Sequence, residues 1–177
     1  YRLGVRLMSK VQISAPAKIN LTLEVLGKRM DGYHDLVSII VGVDLADKII
    51  LEDSDAVSLE CDSPDLNDAT NLAFQAAERI RDHAGISDGV RISLIKKIPT
   101  AAGLGGGSSD AAAVLIGLNR LWNLRMSAND LTPIAAGLGS DVPFFLYGGT
   151  AMVQGRGEIV RPLPAADIKH VLILSPN

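Results

Sequence analysis

Residues 11–26 alternate apolar and polar side chains, with Leu21, Leu23 and Val25 on one face and Thr22 and Glu24 on the other. That two-residue period predicts a half-buried strand. A polar turn at 27–34 follows, and apolar runs at 36–45, 48–51 and 57–61 make the first third of the chain strand-rich. Asp47 and the acidic stretches at 53–55 and 62–65 read as turn formers between those runs. At residue 71 the period changes: Leu72, Ala73, Ala76, Ala77 and Ile80 recur at helical spacing, and Gly85 stands where such a helix would stop.

Residues 90–98 alternate again and end on Pro99, so the segment P-T-A-A-G-L-G-G-G-S-S-D-A-A-A at 99–113 directly follows a strand. The dense run from 111 to 122 after it reads as a helix. Ser127 opens a further helix, with Asp130 completing a variant capping box and Gly137 or Gly139 ending it. Apolar segments at 142–146, 150–154 and 171–174 complete the pattern, the last reading as a strand just beginning. No repeat or linker divides the chain, and the fold class is α+β, one domain with helices packed on a sheet.

The glycine-rich segment carries the first chemistry. Gly103, Gly105, Gly106 and Gly107 allow positive φ and let a ligand approach main-chain N–H groups that a Cβ would shield. The amides and dipole of the following helix point at the same spot, which suits phosphate. Ser108 and Ser109 add hydroxyls and read as caps. Two other phosphate motifs are excluded by letter: Ser108 stands where a dinucleotide fingerprint starting at Gly103 needs glycine or alanine, and the G-K pair at 27–28 continues with Arg29 instead of Ser or Thr.

Three further sites stand out. Lys18 and Asn20 share a strand face, either as an edge lysine that snorkels or as part of a site. Tyr33 and His34 sit in a hairpin loop, as amphipathic cover or as a pair able to stack on and hydrogen-bond to a planar base. Asp141 precedes a strongly apolar segment, as a turn aspartate or as a paired acid. A carboxylate and a lysine beside a phosphate loop together supply what phosphorylation of a hydroxyl requires.

Composition narrows the ligand. The 177 residues carry a net charge of −3 without a basic run, which gives no case for nucleic acid and favours a small molecule. A single cysteine excludes an internal disulfide framework and fits a reducing cytoplasm, and the three histidines lack metal-ligand spacing. No apolar stretch approaches the ~20 residues of a membrane helix. Residues 1–7 precede Met8-Ser9-Lys10 and read as tag or upstream sequence, residues 8–170 as the domain, and 171–177 as the start of a connection to a C-terminal domain that is largely missing.

The motifs P-A-K-I-N-L at 16–21, R-M-D-G-Y-H at 29–34, K-K-I-P-T-A-A-G-L-G-G-G-S-S-D-A-A at 96–112 and L-G-S-D-V-P-F-F at 138–145 resemble the 4-diphosphocytidyl-2-C-methyl-D-erythritol kinases, a family within the GHMP kinase superfamily. The glycine loop is shared across the superfamily, including mevalonate and homoserine kinases; the first two motifs narrow the resemblance to the erythritol family. It implies a ribosomal protein S5 domain 2-like fold for the N-terminal domain. It also implies ATP and Mg²⁺ as cofactors and phosphorylation of the 2-hydroxyl of a cytidine diphosphate-linked methylerythritol in the non-mevalonate isoprenoid pathway. On that resemblance Asp141 is the catalytic base and Lys18 its charged partner. Asn20, Tyr33 and His34 bind the cytidine diphosphate half. Pro99, Thr100, Ala101, Ala102, Gly103, Leu104, Gly105, Gly106, Gly107, Ser108 and Ser109 wrap the ATP phosphates, with Ser108 or Ser109 near the metal. The competing expectations are a mevalonate- or homoserine-type acceptor, and a nucleotide-binding fragment without catalysis.

Overall fold

A computed structural model describes residues 9–30 and 32–174. The expected upstream segment at 1–7 and the last residues of the expected connection, 175–177, lie outside the described residues. The strands are β1 (Lys10–Lys28), β2 (His34–Ser54), β3 (Ser58–Cys61), β4 (Gly89–Ile95), β5 (Thr150–Gly155) and β6 (Ile159–Leu163). The helices are α1 (Leu72–Ala84), α2 (Gly106–Leu121), α3 (Ala128–Leu138) and α4 (Val142–Tyr147), with a 3₁₀ turn at Pro64–Leu66. This is the α+β arrangement expected. Among the described residues no helix is long and apolar enough to cross a membrane.

β2 is the spine. β1 pairs with it antiparallel from Lys10 opposite Glu52 to Lys28 opposite His34, with register shifts at Pro16/Ala17, Asn20/Thr22 and Val25/Gly27. On the other edge β5 pairs with residues 36–41 and β4 with residues 48–54, so the sheet forks. Residues 42–47 lie at the fork, where the Gly42 N–H donates to the Gly149 carbonyl at 2.9 Å. β3 runs parallel to β4, and β6 antiparallel to β5.

The apolar runs at 36–45 and 48–51 are therefore one strand, and Asp47 is no turn former. It sits inside β2, 1% exposed. The carboxylate is tolerated there because it is fully paired, as described below. The alternation in β1 is equally half-informative. Ala15 and Ala17 are completely buried, whereas Leu21, Leu23 and Val25 are 42%, 60% and 59% exposed. Periodicity marks a strand; whether a face is covered depends on the helices, which reach only the inner half.

Packing explains that reach. α2 is built almost entirely of small and apolar residues, and Ala111, Ala112, Val114, Leu115 and Leu118 are fully buried. At Gly117 it approaches the sheet so closely that a Cβ would lie 2.4 Å from Leu51 Cδ1 and 2.9 Å from Ile13 Cδ1. α1 buries Ala73, Ala76, Ala77 and Ile80; Asn71 Oδ1 caps it by accepting from the Ala73 N–H at 2.9 Å, and Gly85 ends it at φ 64°. α3 carries the expected Ser127–Asp130 capping box and ends at Gly139.

Two segments differ from expectation. β6 escapes the sequence pattern because Arg161 and Pro162 interrupt it, a composition allowed only on an edge strand. Residues 171–174 pair with no strand among the described residues, and Leu172 and Leu174 are 83% and 80% exposed. Ile173 instead packs at the small cluster of Ala17, Ile98 and Leu104.

Candidate active site

The glycine loop leaves β4 at the fork of the sheet and returns as α2. The helix begins at Gly106, not at the serines: Gly105 occupies the N-cap with φ 71°, and Ser108 and Ser109 lie in the first turn. Consecutive glycines let the chain take the left-handed residue and enter the helix earlier than side-chain capping would require. The Ser109 hydroxyl oxygen is buried without a partner among the described residues, and Ser108 Oγ lies 3.9 Å from the position of a Cβ on Gly139. Residues 99–108 wall a cavity of about 410 Å³, together with Leu66, Asn71, Leu72, Lys96 and Asp110. Its volume and apolar walls fit a nucleoside, and the amides at the helix start fit the attached phosphates.

Lys18 and Asp141, 123 positions apart in sequence, meet beside this loop. Lys18 Nζ lies 3.3 Å from Asp141 Oδ2 and donates to Asn20 Oδ1 at 2.7 Å. The lysine side chain is 9% exposed and the aspartate 35%. Lys18 is thus a buried, paired ammonium and no edge residue. Its own backbone N–H donates to the Leu104 carbonyl at 2.9 Å, which fixes the loop against β1. Asn20 is oriented in turn by Ser38: Asn20 Nδ2 donates to Ser38 Oγ at 2.6 Å, and the Ser38 hydroxyl donates to the Thr22 carbonyl. Asp141 comes from the other side, at the N-cap of α4, where Pro143 fixes the first turn. A half-exposed carboxylate beside a buried ammonium can accept a proton from an alcohol and hold charge on a transferring group.

Tyr33 and His34 lie beyond Lys28, the last residue of β1, and so away from Lys18 along the strand. Both are exposed at the tip of the β1–β2 hairpin, which the Arg29–Asp35 ion pair at 2.7 Å braces. The tip is nevertheless tied toward Asp141 by a residue that the sequence pattern did not single out. The Arg156 guanidinium sits 4.8 Å from the centroid of the Tyr33 ring, and a Cβ on the adjacent Gly157 would lie 3.0 Å from the Ser140 carbonyl oxygen. The only sequence signal for Arg156 is a charge between two glycines in a turn.

Beneath the loop lies a buried charge cluster that also escaped sequence reading. Lys96 Nζ forms ion pairs with Asp47 and, at 2.7 Å, with Asp110. Burial pushes the Asp110 carboxyl up to about 7, against the lowering effect of Lys96. Burial also opposes charge on Lys96, yet Asp110 and Asp47 together hold its ammonium above the ordinary lysine range. For an acid raised in the folded state, the stability contribution is complete below the unfolded value near 4 and is lost as pH rises through 7. Asp110→Asn, which keeps an acceptor for Lys96, should flatten that decline. Denaturant midpoints at pH 5 and pH 8 are expected to differ less in the variant, by roughly 2–4 kcal/mol in unfolding free energy; equal declines in both proteins would contradict the assignment.

The profile of the GHMP kinases N terminal domain matches residues 71–149. The chain is 50% identical over 159 residues to the 4-diphosphocytidyl-2-C-methyl-D-erythritol kinase of Gloeobacter violaceus, covering 89% of this chain and 53% of the relative. To the Synechocystis sp. protein of the same name it is 52% identical over 176 residues, covering 94% and 55%. A crystal structure of 4-(cytidine 5'-diphospho)-2C-methyl-D-erythritol kinase superposes with a TM-score of 0.74 at 44% identity, covering 86% of this chain and 55% of that one. The chain spans a little over half the length of these relatives. The fold, the glycine loop and the sequence matches agree: residues 71–149 match the GHMP kinases N terminal domain, and the chain is similar over most of its length to these kinases.

Proposed function

We propose that this domain serves an ATP-dependent kinase that phosphorylates the 2-hydroxyl of 4-diphosphocytidyl-2-C-methyl-D-erythritol. The observation that carries the reading is the Lys18–Asp141 pair at 3.3 Å beside the glycine loop. The 410 Å³ cavity takes the nucleoside of ATP, with Leu66, Leu72 and Ile98 against the purine, and the amides of residues 105–107 take the phosphates. Asp141 accepts the proton of the attacking alcohol. Lys18 has two of its N–H groups directed at Asn20 and Asp141, and the third stabilises the charge that develops on the transferring phosphoryl group.

Mg²⁺ fits this arrangement as an ion held chiefly by the nucleotide. No group of three or more His, Cys, Asp or Glu able to hold a metal exists among the described residues, while the unpartnered Ser109 hydroxyl and the neighbouring Ser108 offer oxygens at the helix start. Bound there, the ion would neutralise charge on the β- and γ-phosphate oxygens.

Tyr33 stacks on the cytosine, with Arg156 against its ring, and His34 and Asn20 supply polar contacts to the same half of the acceptor. The test is ADP release by the full-length protein with cytidyl-methylerythritol, mevalonate and homoserine in parallel. Turnover confined to the first supports the reading, and turnover with either of the others overturns it. Tyr33→Ala should weaken the cytidyl acceptor by ~1–3 kcal/mol while leaving the ATP KM unchanged; an unaltered acceptor KM would remove the stacking role.

A further inference from the structure

Three successive backbone amides at the entrance to the glycine loop are each held by a carboxylate. The Lys96 N–H donates to Asp62 Oδ1 at 2.9 Å, and the Lys97 and Ile98 N–H groups both donate to Asp47 Oδ1, the latter at 2.8 Å. The other Asp47 oxygen takes the Lys96 ammonium, which reaches on to Asp110, the residue immediately after the loop. Entry and exit of the segment 99–109 are thereby joined through one lysine, and that lysine is fixed to the middle of the central strand. Asp47 is not among the walls of the cavity, and its side chain is completely buried.

We infer that Asp47 is a positioning residue for the phosphate loop: it sets where the loop leaves the sheet, and so how the amides at the start of α2 meet the phosphate chain. The inference rests on the reading of that loop as the ATP site. A carboxylate is required and not merely an acceptor, because each oxygen has a separate task. One oxygen satisfies two amides that would otherwise be orphaned at a sheet fork, and the other balances a buried ammonium. Asp47 lies in β2, and the residues it fixes follow β4, about fifty positions later in the chain. The strand therefore transmits the placement to the loop without touching the ligand.

The experiment uses the full-length protein. ATP affinity is measured by equilibrium titration with Mg²⁺ present, and both KM values and kcat by steady-state kinetics, for the parent, Asp47→Asn, Asp47→Glu and Asp62→Ala. Asp47→Asn is expected to weaken ATP about tenfold, with the acceptor KM within twofold and kcat within threefold of the parent. Asp62→Ala, which removes the acceptor of the exposed Lys96 amide at the same entrance, is expected to weaken ATP two- to threefold. Unchanged ATP affinity in folded Asp47→Asn overturns the inference, and so does a parallel rise in both KM values, which marks general damage. Should Asp47→Asn fail to fold, Asp47→Glu, which keeps both oxygens but shifts them by one methylene, decides by the same criterion. Absence of ATP binding to the parent would instead remove the nucleotide reading itself, a result separate from the variants.

Discussion

Asp141→Asn is expected to lower turnover by about 10²–10⁴-fold while ATP and acceptor binding stay within a few-fold of the parent. The amide has nearly the shape of the carboxylate and still offers Lys18 an oxygen, so the geometry of the pair survives. What it cannot do is take a proton from the attacking alcohol. That loss is felt in the transition state and hardly at all in the ground state, so it falls on kcat. Stability should change modestly, because the asparagine keeps an oxygen toward the buried Lys18 ammonium and the site on the Asp141 side is 35% exposed, where water screens the lost charge. Steady-state kinetics with a thermal melt of each protein separates the two effects; turnover within tenfold of the parent would remove Asp141 from the chemistry.

The second large effect is expected from Gly105→Ala. Its φ of 71° is a left-handed conformation, and a Cβ there would lie 3.0 Å from Lys18 Cγ, 3.2 Å from Lys18 Cε and 3.0 Å from Phe145 Cζ. Phe145 is buried in the core, so the lysine is the side that moves, and with it the ammonium. Displacement by about 1 Å is enough to cost on the order of a hundredfold in rate. Gly103 supplies the control. Its φ of 73° carries the same backbone strain, but a Cβ there meets nothing within 4 Å. Gly103→Ala should therefore show only the strain, roughly 1 kcal/mol, with kcat close to the parent. Equal losses in the two variants would mean that loop conformation, and not the position of Lys18, governs the rate.

Local chemistry explains which parts of this arrangement are legible from the chain. The caps of α1 and α3 depend on side chains within three residues of the helix ends, and the strand–glycine–helix order depends on contiguous sequence. Both could be read directly. Lys18 and Asp141 were visible as residues that their surroundings make costly, although nothing local placed them together. Asp47 was misread for the opposite reason: an aspartate amid apolar runs is usually a turn, and its partner lies 49 residues away. The same limit applies to β6, whose edge position excuses a proline, and to the outer half of β1, where alternation persists without a helix to cover either face.

The forked strand β2 passes under both ends of the site, from His34 at the hairpin tip to Asp47 beneath the glycine loop. Irregularities in its pairing with β1 at Asn20/Thr22 and Val25/Gly27 stand between the tip and Lys18. Each is a place where one residue of slippage can be absorbed before it propagates inward. A change of length in the hairpin beyond Thr22 can therefore be taken up at these shifts without moving Lys18 from its place beside the glycine loop.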